Sequence, residues 1–113
     1  AAAFTGITTH TGTLTLTVGA AAATVAQLVT INAATTGVIT LNANTIAANL
    51  TGLAADLAAA FTGITTHTGT LTLTAGAAAA TLAQLVTINA ATTGVITLNA
   101  NTIAAGLTGL AAD

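Results

Sequence analysis

The side chains that could do chemistry in this chain are few and widely spaced. His10 and His67 each stand in the sequence Thr-Thr-His-Thr-Gly, 57 residues apart, and Asp56 and Asp113 are separated by the same interval. A pair of histidines is typical of a metal site or a pH-responsive site, and a pair of carboxylates is typical of acid–base catalysis. If each 57-residue unit contributes two stacked strands, the histidines recur about 9.6 Å apart, too far for both to ligate one zinc ion at about 2 Å. We therefore expect each histidine to lie in a loop, bonded to a threonine or to a backbone carbonyl.

The aspartates have no catalytic partners near them in the sequence. No second carboxylate, no nucleophile with a base and no oxyanion-binding set lies close to Asp56 or to Asp113, and an active site needs such a set. We expect both residues to be charges on helix surfaces. The sequence predicts no enzyme activity, no cofactor and no metal site.

The regular spacing comes from an internal repeat. Residues 58–113 repeat residues 1–56 with three differences. These are Val18 against Ala75, Val25 against Leu82, and Asn49 against Gly106. A fixed period is typical of repeat proteins whose units share one continuous core. We predict two repeats, 1–57 and 58–113, and interpret the chain as an excerpt of a longer tandem array.

The composition excludes several classes of partner. The chain has no Lys or Arg, two Asp, a formal net charge of −2 and 54% apolar residues. Without cations it cannot neutralise phosphates, which excludes nucleic-acid binding, and with so little charge its copies are expected to associate. Mean hydropathy is high, but Thr, Asn and Gly interrupt every apolar stretch and no Lys/Arg flank or Trp/Tyr belt is present. We therefore expect copies of the chain to be its partners, with no small-molecule substrate and no membrane-spanning segment.

Two segments of each repeat alternate apolar and polar residues, which predicts strands. In the first repeat they cover residues 13–17 and 38–42, each directly after a Thr-Gly pair. The apolar positions, which we expect to point inward, are Leu14, Leu16, Ile39 and Leu41. The alternate positions, which we expect to point outward, end at Asn42 in the first repeat and at Asn99 in the second.

Helices are predicted between the strands. Thr24 and Gln27 form a capping-box pattern, so a helix should start there and end near residues 33–35. After the second strand, Asn44 or Thr45 is predicted to cap a longer helix that ends around residues 60–62. Its apolar residues are spaced by four, three and four positions: Ile46, Leu50, Leu53 and Leu57.

Strands that are joined by helices run parallel, so the predicted fold class is an α/β solenoid. It would consist of parallel strand-plus-helix coils, two coils per 57-residue repeat. Strands stack at about 4.8 Å whereas helices need about 10 Å, so the Ala-rich runs would have to be staggered or extended. An all-β solenoid, with these runs extended, is the alternative that we keep open.

The outward threonines are the candidate functional residues. Thr15, Thr40, Thr72 and Thr97 are predicted to form an unbroken ladder on the flat face of the sheet. Such a polar, uncharged face is suited to packing against another copy of the chain, as sheet faces do in fibrils. Regular threonine arrays also resemble ice-binding surfaces, so ice binding is the alternative function.

The amino-acid sequence of the repeat resembles that of a known family. The segments Thr24-Val25-Ala26-Gln27-Leu28, Ala33-Ala34-Thr35-Thr36-Gly37 and Thr45-Ile46-Ala47-Ala48-Asn49-Leu50 look like tandem repeats of very large secreted surface or matrix proteins of bacteria, chiefly cyanobacteria. The resemblance covers most of each repeat. It implies secretion and a surface or matrix role. The acidic residues and the Gly/Asp-rich calcium repeats of those proteins are missing here, so calcium binding is not implied.

Taken together, these features predict a non-enzymatic structural protein that is secreted and extracellular or on the cell surface. Its copies would join by strand pairing at their ends and so form a filament, a surface layer or a matrix fibre. The absence of Cys, Met, Trp and Tyr leaves few oxidation-prone side chains, which suits a durable extracellular material.

Overall fold

Two capping boxes start the longest helices of the chain. In the computed structural model, which describes residues 1–109, 111 and 112, the Thr24 hydroxyl accepts a hydrogen bond from the Gln27 N–H at 3.2 Å. The Thr24 N–H donates to the Gln27 side chain at 2.9 Å, and helix α1 follows (Val25–Ala34). The same pair of bonds at Thr81 starts α4 (Leu82–Ala91). The predicted helix after the capping box is confirmed, because its signal lies within four consecutive residues.

The strands are parallel but shorter than predicted. Within the described residues they are β1 (Leu14–Thr15), β2 (Ile39–Thr40), β3 (Leu50–Gly52), β4 (Leu71–Leu73) and β5 (Ile96–Thr97). They form two separate sheets, with the order β1-β2 in one and β3-β4-β5 in the other. Among the described residues β2 and β3 are not hydrogen-bonded to each other, so the five strands do not form one continuous sheet.

The predicted long second helix is wrong. Its place is taken by α2 (Ala43–Ile46), strand β3 and α3 (Ala54–Phe61). The cap is Asn42 instead of Asn44 or Thr45: its side-chain oxygen accepts from the Thr45 N–H at 3.0 Å and from the Thr45 hydroxyl at 2.6 Å. The helix is interrupted because residues 50–52 pair with a strand of the next repeat. This long-range contact outweighs the local helical spacing of Ile46, Leu50, Leu53 and Leu57.

Shorter helical turns complete the described chain. Helix α5 (Ala100–Ile103) is the counterpart of α2 in the second repeat, and a 3-10 helix (Ala2–Phe4) lies at the position that corresponds to the last turn of α3. Both α2 and α5 have an asparagine cap.

The predicted fold class, an α/β solenoid, is overturned by this arrangement, and so is the all-β alternative. The chain is a globular α/β structure with two small parallel sheets and five α-helices among the described residues. The Ala-rich runs are helical in α1, α3 and α4, which excludes the all-β solenoid. Packed helices need about 8–10 Å between axes, about twice the distance between strands. Two short sheets, which do not continue into each other, resolve this mismatch.

Helix α3 is the centre of the core. It packs against α1 on one side and against α4 on the other. Its Leu57 and Phe61 are fully buried. The hydrophobic core joins residues of both repeats: Leu28, Leu41, Ala54, Leu57, Ala60, Phe61, Ile64, Leu71, Leu73, Ala80, Ile88 and Ala91.

Candidate functional site

The two repeats meet where β3 pairs with β4. Leu50, Thr51 and Gly52 lie opposite Leu71, Thr72 and Leu73, in parallel. The Leu50 N–H donates to the carbonyl of Thr70 at 2.9 Å, and the Thr74 N–H donates to the carbonyl of Gly52 at 3.0 Å. We call this contact, with residues 46–52 on one side and residues 67–74 on the other, the repeat junction.

His67 lies in the repeat junction and is fully buried. Its Nε2 is 2.9 Å from the carbonyl oxygen of Ala48, and its Nδ1 is 3.1 Å from the hydroxyl oxygen of Thr92. The edge of the ring contacts Phe61, with the ring centroids 4.9 Å apart. A carbonyl oxygen can only accept, so Nε2 must carry the proton, and Nδ1 of the neutral ring is then an acceptor. The single proton of the Thr92 hydroxyl is shared between this Nδ1 and the carbonyl of Gly69, which lies 2.9 Å from the hydroxyl oxygen. The imidazole therefore holds two segments of chain together.

The pKa of His67 is lowered from its ordinary value of 6.5 by burial, and the hydrogen bond to the carbonyl of Ala48 acts in the opposite direction. Burial disfavours the charged ring because it removes water from around it. The neutral ring that fits the hydrogen bonds is thus also the form that the surroundings favour. This is the behaviour of a structural histidine.

His10 repeats this geometry only in part. Its Nδ1 is 3.0 Å from the hydroxyl oxygen of Thr35, and its ring contacts Phe4 with a centroid distance of 5.6 Å. Among the described residues no hydrogen-bond partner contacts its Nε2, whereas Nε2 of His67 is bonded to the carbonyl of Ala48. The loop position predicted for both histidines, with a bond to a threonine or a carbonyl, is confirmed.

Other residues of the first repeat differ from their copies in the same way. Leu14 and Leu16 are half-buried, whereas their copies Leu71 and Leu73 are buried by the segment that precedes them. Gly12 is exposed, whereas its copy Gly69 is buried beneath the backbone of Ala47 and Ala48. The repeat junction thus buries side chains of the second repeat that are more exposed in the first.

Two leucines are more exposed in the second repeat than in the first. Leu107, the copy of Leu50, is 43% exposed and lies in a segment without strand pairing among the described residues. Leu98 is half-buried, whereas its copy Leu41 is buried. Identical side chains of the two repeats thus differ in exposure, according to whether the other repeat packs on them.

The predicted ionisable groups do not come together as a site. Asp56 is exposed in the first turn of α3, where a negative charge interacts favourably with the helix dipole. Asp113 lies outside the described residues. Within the part of the chain that the structure describes, no three His, Cys, Asp or Glu side chains are placed to hold a metal ion.

The structure divides the threonine ladder between the two sheets. Thr15 is paired with Thr40 in the first sheet, and Thr72 with Thr97 in the second. Thr51, which the sequence prediction did not include, lies on the other side of Thr72, so the longest row in register is Thr51, Thr72 and Thr97. Four of these five side chains are exposed, and Thr72 is half-buried.

Asn42 and Asn99 do not face outward as predicted. Asn42 is only 4% exposed, and its amide donates to the carbonyls of Thr17 at 2.9 Å and of Ala20 at 3.2 Å. Asn99 repeats these bonds in the second repeat, to Thr74 and Ala77. The sequence signal for this role is an asparagine directly after a strand with a threonine three positions later, which is a helix N-cap pattern.

A cleft of about 420 Å³ lies beside β2, between residues 35–39 and the residues that follow α3. Its lining residues include Asn32, Thr36, Val38, Thr62 and Ile64, none of which is ionisable. Asn32 crosses it, because its amide donates to the carbonyls of Ala60 at 3.0 Å and of Thr62 at 2.8 Å. The cleft offers no acid, base or nucleophile pair. Its polar groups join α1 to the end of α3.

Comparison with family models, with curated proteins and with solved structures finds no match to this chain. Among the described residues no helix is long and apolar enough to cross a membrane. In the same part of the chain, no buried side-chain nitrogen or oxygen lacks a hydrogen-bond partner. The polar side chains of the interior therefore bond to one another and to the backbone.

Proposed function

We propose that this chain is a non-enzymatic structural protein whose copies associate into an extracellular filament, surface layer or matrix fibre. The observation that carries the proposal is the repeat junction. There, one copy of the repeat pairs in parallel with the next copy and covers its leucines, histidine and glycine. A surface that is buried when a neighbour is present, and that is apolar, favours association with further copies.

Charge and composition support self-association. The chain carries two aspartates and no Lys or Arg, so its copies repel each other only weakly. Large apolar side chains are also exposed away from the junction: Val18, Val38, Val95 and Ile103. Nucleic acid and small-molecule substrates have no part in this proposal, because the chain lacks cations and its interior polar groups bond to one another. The extracellular location rests on the composition and on the resemblance to secreted repeats.

The proposal is tested by the dependence of mass on protein concentration. Sedimentation should show assemblies that grow with concentration, and electron microscopy should show regular polymers. With so few charges, assembly should change little between low and moderate salt, because screening has little to act on. A chain that stays monomeric up to about millimolar concentration, where only associations weaker than about 4 kcal/mol escape detection, would refute the proposal. Dissolution of the assemblies by moderate salt would also count against it.

Ice binding is the second candidate, and the row of Thr51, Thr72 and Thr97 supports it. These threonines are in register on adjacent parallel strands, which repeat at about 4.8 Å. Replacement of Thr72 by serine, which keeps the hydroxyl and removes the methyl, should then reduce thermal hysteresis. Hysteresis that is absent in the unchanged protein, or that survives such replacements at Thr15, Thr40, Thr72 and Thr97, would exclude ice binding.

A further inference from the structure

The repeat junction contains one ionisable side chain, His67, and residues 46–49 cover its ring. We call residues 46–49 the cover segment. We propose that the repeat junction opens in acid: the cover segment leaves the His67 ring, the ring takes up a proton, and the rest of the fold stays closed. This inference does not depend on the proposed self-association.

The cover segment separates the ring from solvent. His67 is fully buried, although Ala47 and Asn49, on either side of Ala48 in the chain, are exposed. The carbonyl of Ala48 is the acceptor for His67 Nε2, at 2.9 Å. Displacing this one short segment would therefore remove a partner of the ring and let water reach it.

A proton on the buried ring would have no opposite charge beside it. Among the described residues the other ionisable groups are the amino group of Ala1, His10 and Asp56. The cover segment and α4, which both pack on the ring, carry none of them. Helix α3 carries Asp56, but this residue is exposed in the first turn, whereas the ring contacts Phe61, about 7.5 Å further along the helix.

The charged ring is therefore stabilised mainly by water. Burial lowers the pKa of His67 more than the hydrogen bond to the carbonyl of Ala48 raises it. A state in which the ring is hydrated binds the proton more tightly than the closed state does. Acid therefore shifts the population toward the open state.

The hydrogen bonds indicate which side of the ring opens. On the side of Thr92, a protonated Nδ1 could donate to the hydroxyl oxygen at 3.1 Å, and the hydroxyl proton would then go to the carbonyl of Gly69 at 2.9 Å. This side can therefore keep its contacts when the ring is charged. The cover segment is the side that must move to admit water.

The cover segment is also held less firmly than the core. Ile46 ends α2, and residues 47–49 form neither helix nor strand. The segment is bonded to the second repeat through the Thr68 N–H, which donates to the carbonyl of Ile46 at 2.8 Å, and the Thr70 N–H, which donates to the side chain of Asn49 at 2.9 Å. Irregular segments with exposed residues open at a lower free energy than packed helices and strands.

Amide hydrogen exchange distinguishes this opening from unfolding of the whole chain. The Thr68 and Thr70 N–H groups bond to the cover segment, whereas the Leu71 N–H donates to the carbonyl of Val95 on the other side of β4, at 3.0 Å. Leu71 is fully buried, so its N–H serves as the internal reference. Exchange is followed by NMR at pH 7.5, 6.5 and 5, and each rate is divided by the rate of the unfolded chain at the same pH.

The Thr68 and Thr70 amides should be less protected than the Leu71 amide at every pH. Their protection should also fall with pH, because the open state takes up a proton with the ordinary histidine pKa of 6.5. If the closed ring stays neutral, the open population rises up to about thirtyfold between pH 7.5 and pH 5. Moderate urea should change the exchange of these two amides little, since a local opening exposes little surface.

Two substitutions separate the roles of the ring and of the segment. His67→Gln retains an amide that can donate to the carbonyl of Ala48 but does not titrate, so the protection of Thr68 should not depend on pH. Asn49→Gly removes the hydrogen bond to the Thr70 N–H and should lower the protection of Thr68 about two- to tenfold at each pH, with the pH dependence retained.

The matched control is Val18→Ala. Val18 is 89% exposed, and alanine already stands at the same place in the second repeat as Ala75. This variant should show the protection and the pH dependence of the unchanged chain.

The unchanged chain alone can overturn the proposal. If Thr68 and Thr70 are as protected as Leu71, the repeat junction opens only when the whole fold unfolds, and the proposal is wrong. If they are less protected but their protection does not depend on pH, the cover segment moves without releasing the ring, which also contradicts it. A full pH dependence that persists in His67→Gln would assign the acid sensitivity to another group and would likewise overturn the proposal.

Discussion

Gly12 and Gly69 allow one substitution to be compared in two surroundings that differ only by a neighbouring repeat. Both glycines lie in the sequence Thr-Thr-His-Thr-Gly-Thr. A Cβ at Gly69 would meet backbone atoms of Ala47 and Ala48, at 2.8 Å from the Ala47 oxygen and 2.6 Å from the Ala48 carbon. A Cβ at Gly12 would have only the edge of the His10 ring near it. We therefore expect Gly→Ala to destabilise the fold at Gly69 and not at Gly12.

The expected magnitudes follow from two opposing effects. Replacing glycine by alanine restricts the unfolded chain and stabilises the fold by about 0.4–1 kcal/mol where the backbone accepts it. Neither Gly12 nor Gly69 has a positive φ, so this gain applies to both. Forcing apart packed atoms costs about 1–3 kcal/mol or more. Gly69→Ala should lower the free energy of unfolding by about 1–2 kcal/mol or more, while Gly12→Ala should leave it equal or about 0.5 kcal/mol higher.

The measurement is urea unfolding of both variants, followed by circular dichroism at 222 nm because the chain has no Trp or Tyr. Protein concentration is kept low, so that association does not add to the stability of the folded state. The slope of free energy against urea should be unchanged, since it reports the surface exposed on unfolding. Equal losses in the two variants would refute the reasoning, because the loss would then come from the backbone of the shared segment and not from the repeat junction.

Three further predictions concern the interior. Leu57→Ala should lower the free energy of unfolding by about 2–5 kcal/mol, because it leaves a cavity beside α3. Leu53→Ala, at a position that is 47% exposed, should lower it by less than about 1 kcal/mol. Thermal unfolding of both variants compares these losses, and similar losses would contradict the central position of α3. Because burial lowers the pKa of His67, the unfolded chain binds a proton on this ring at higher pH than the folded chain does, so the free energy of unfolding should fall as pH drops below the ordinary value of 6.5. Urea titrations between about pH 7.5 and 5 measure how the free energy of unfolding depends on pH, and His67→Gln should remove the contribution of His67 to this dependence. If the pH dependence is unchanged in His67→Gln, it comes from other groups. Thr81→Ala should lower the stability by about 1 kcal/mol through loss of the capping box, and Thr81→Ser should restore most of it.

Prediction from sequence succeeded where the signal was local. The capping box at Thr24 requires only the bonds between residues three positions apart, so its helix could be located to within a residue. The alternation around Leu14 and Ile39 likewise placed both strands, although each is reduced to two residues. These features depend on neighbours in the chain, which the sequence displays directly.

Prediction from sequence failed where contacts with a distant segment of the chain determine the conformation. Residues 50–52 have the spacing of a helix, yet they pair with β4 of the next repeat. Asn42 follows the alternation of a strand, yet its amide is buried against the carbonyls of Thr17 and Ala20. The solenoid prediction failed for a related reason. It assumed one continuous sheet beside the packed helices, although helices are spaced about twice as far apart as strands. The strands instead divide into two sheets.

By itself, the sequence determined the repeat of 57 residues, the near absence of charge, the helices that begin at capping boxes and the strand segments around Leu14 and Ile39, because each depends on composition or on residues close together in the chain. Only the tertiary structure decided that His10 and His67, with identical neighbours in sequence, have different surroundings. The reason is physical: burial and hydrogen bonding depend on which segments lie nearby in space, and the carbonyl of Ala48 reaches His67 alone.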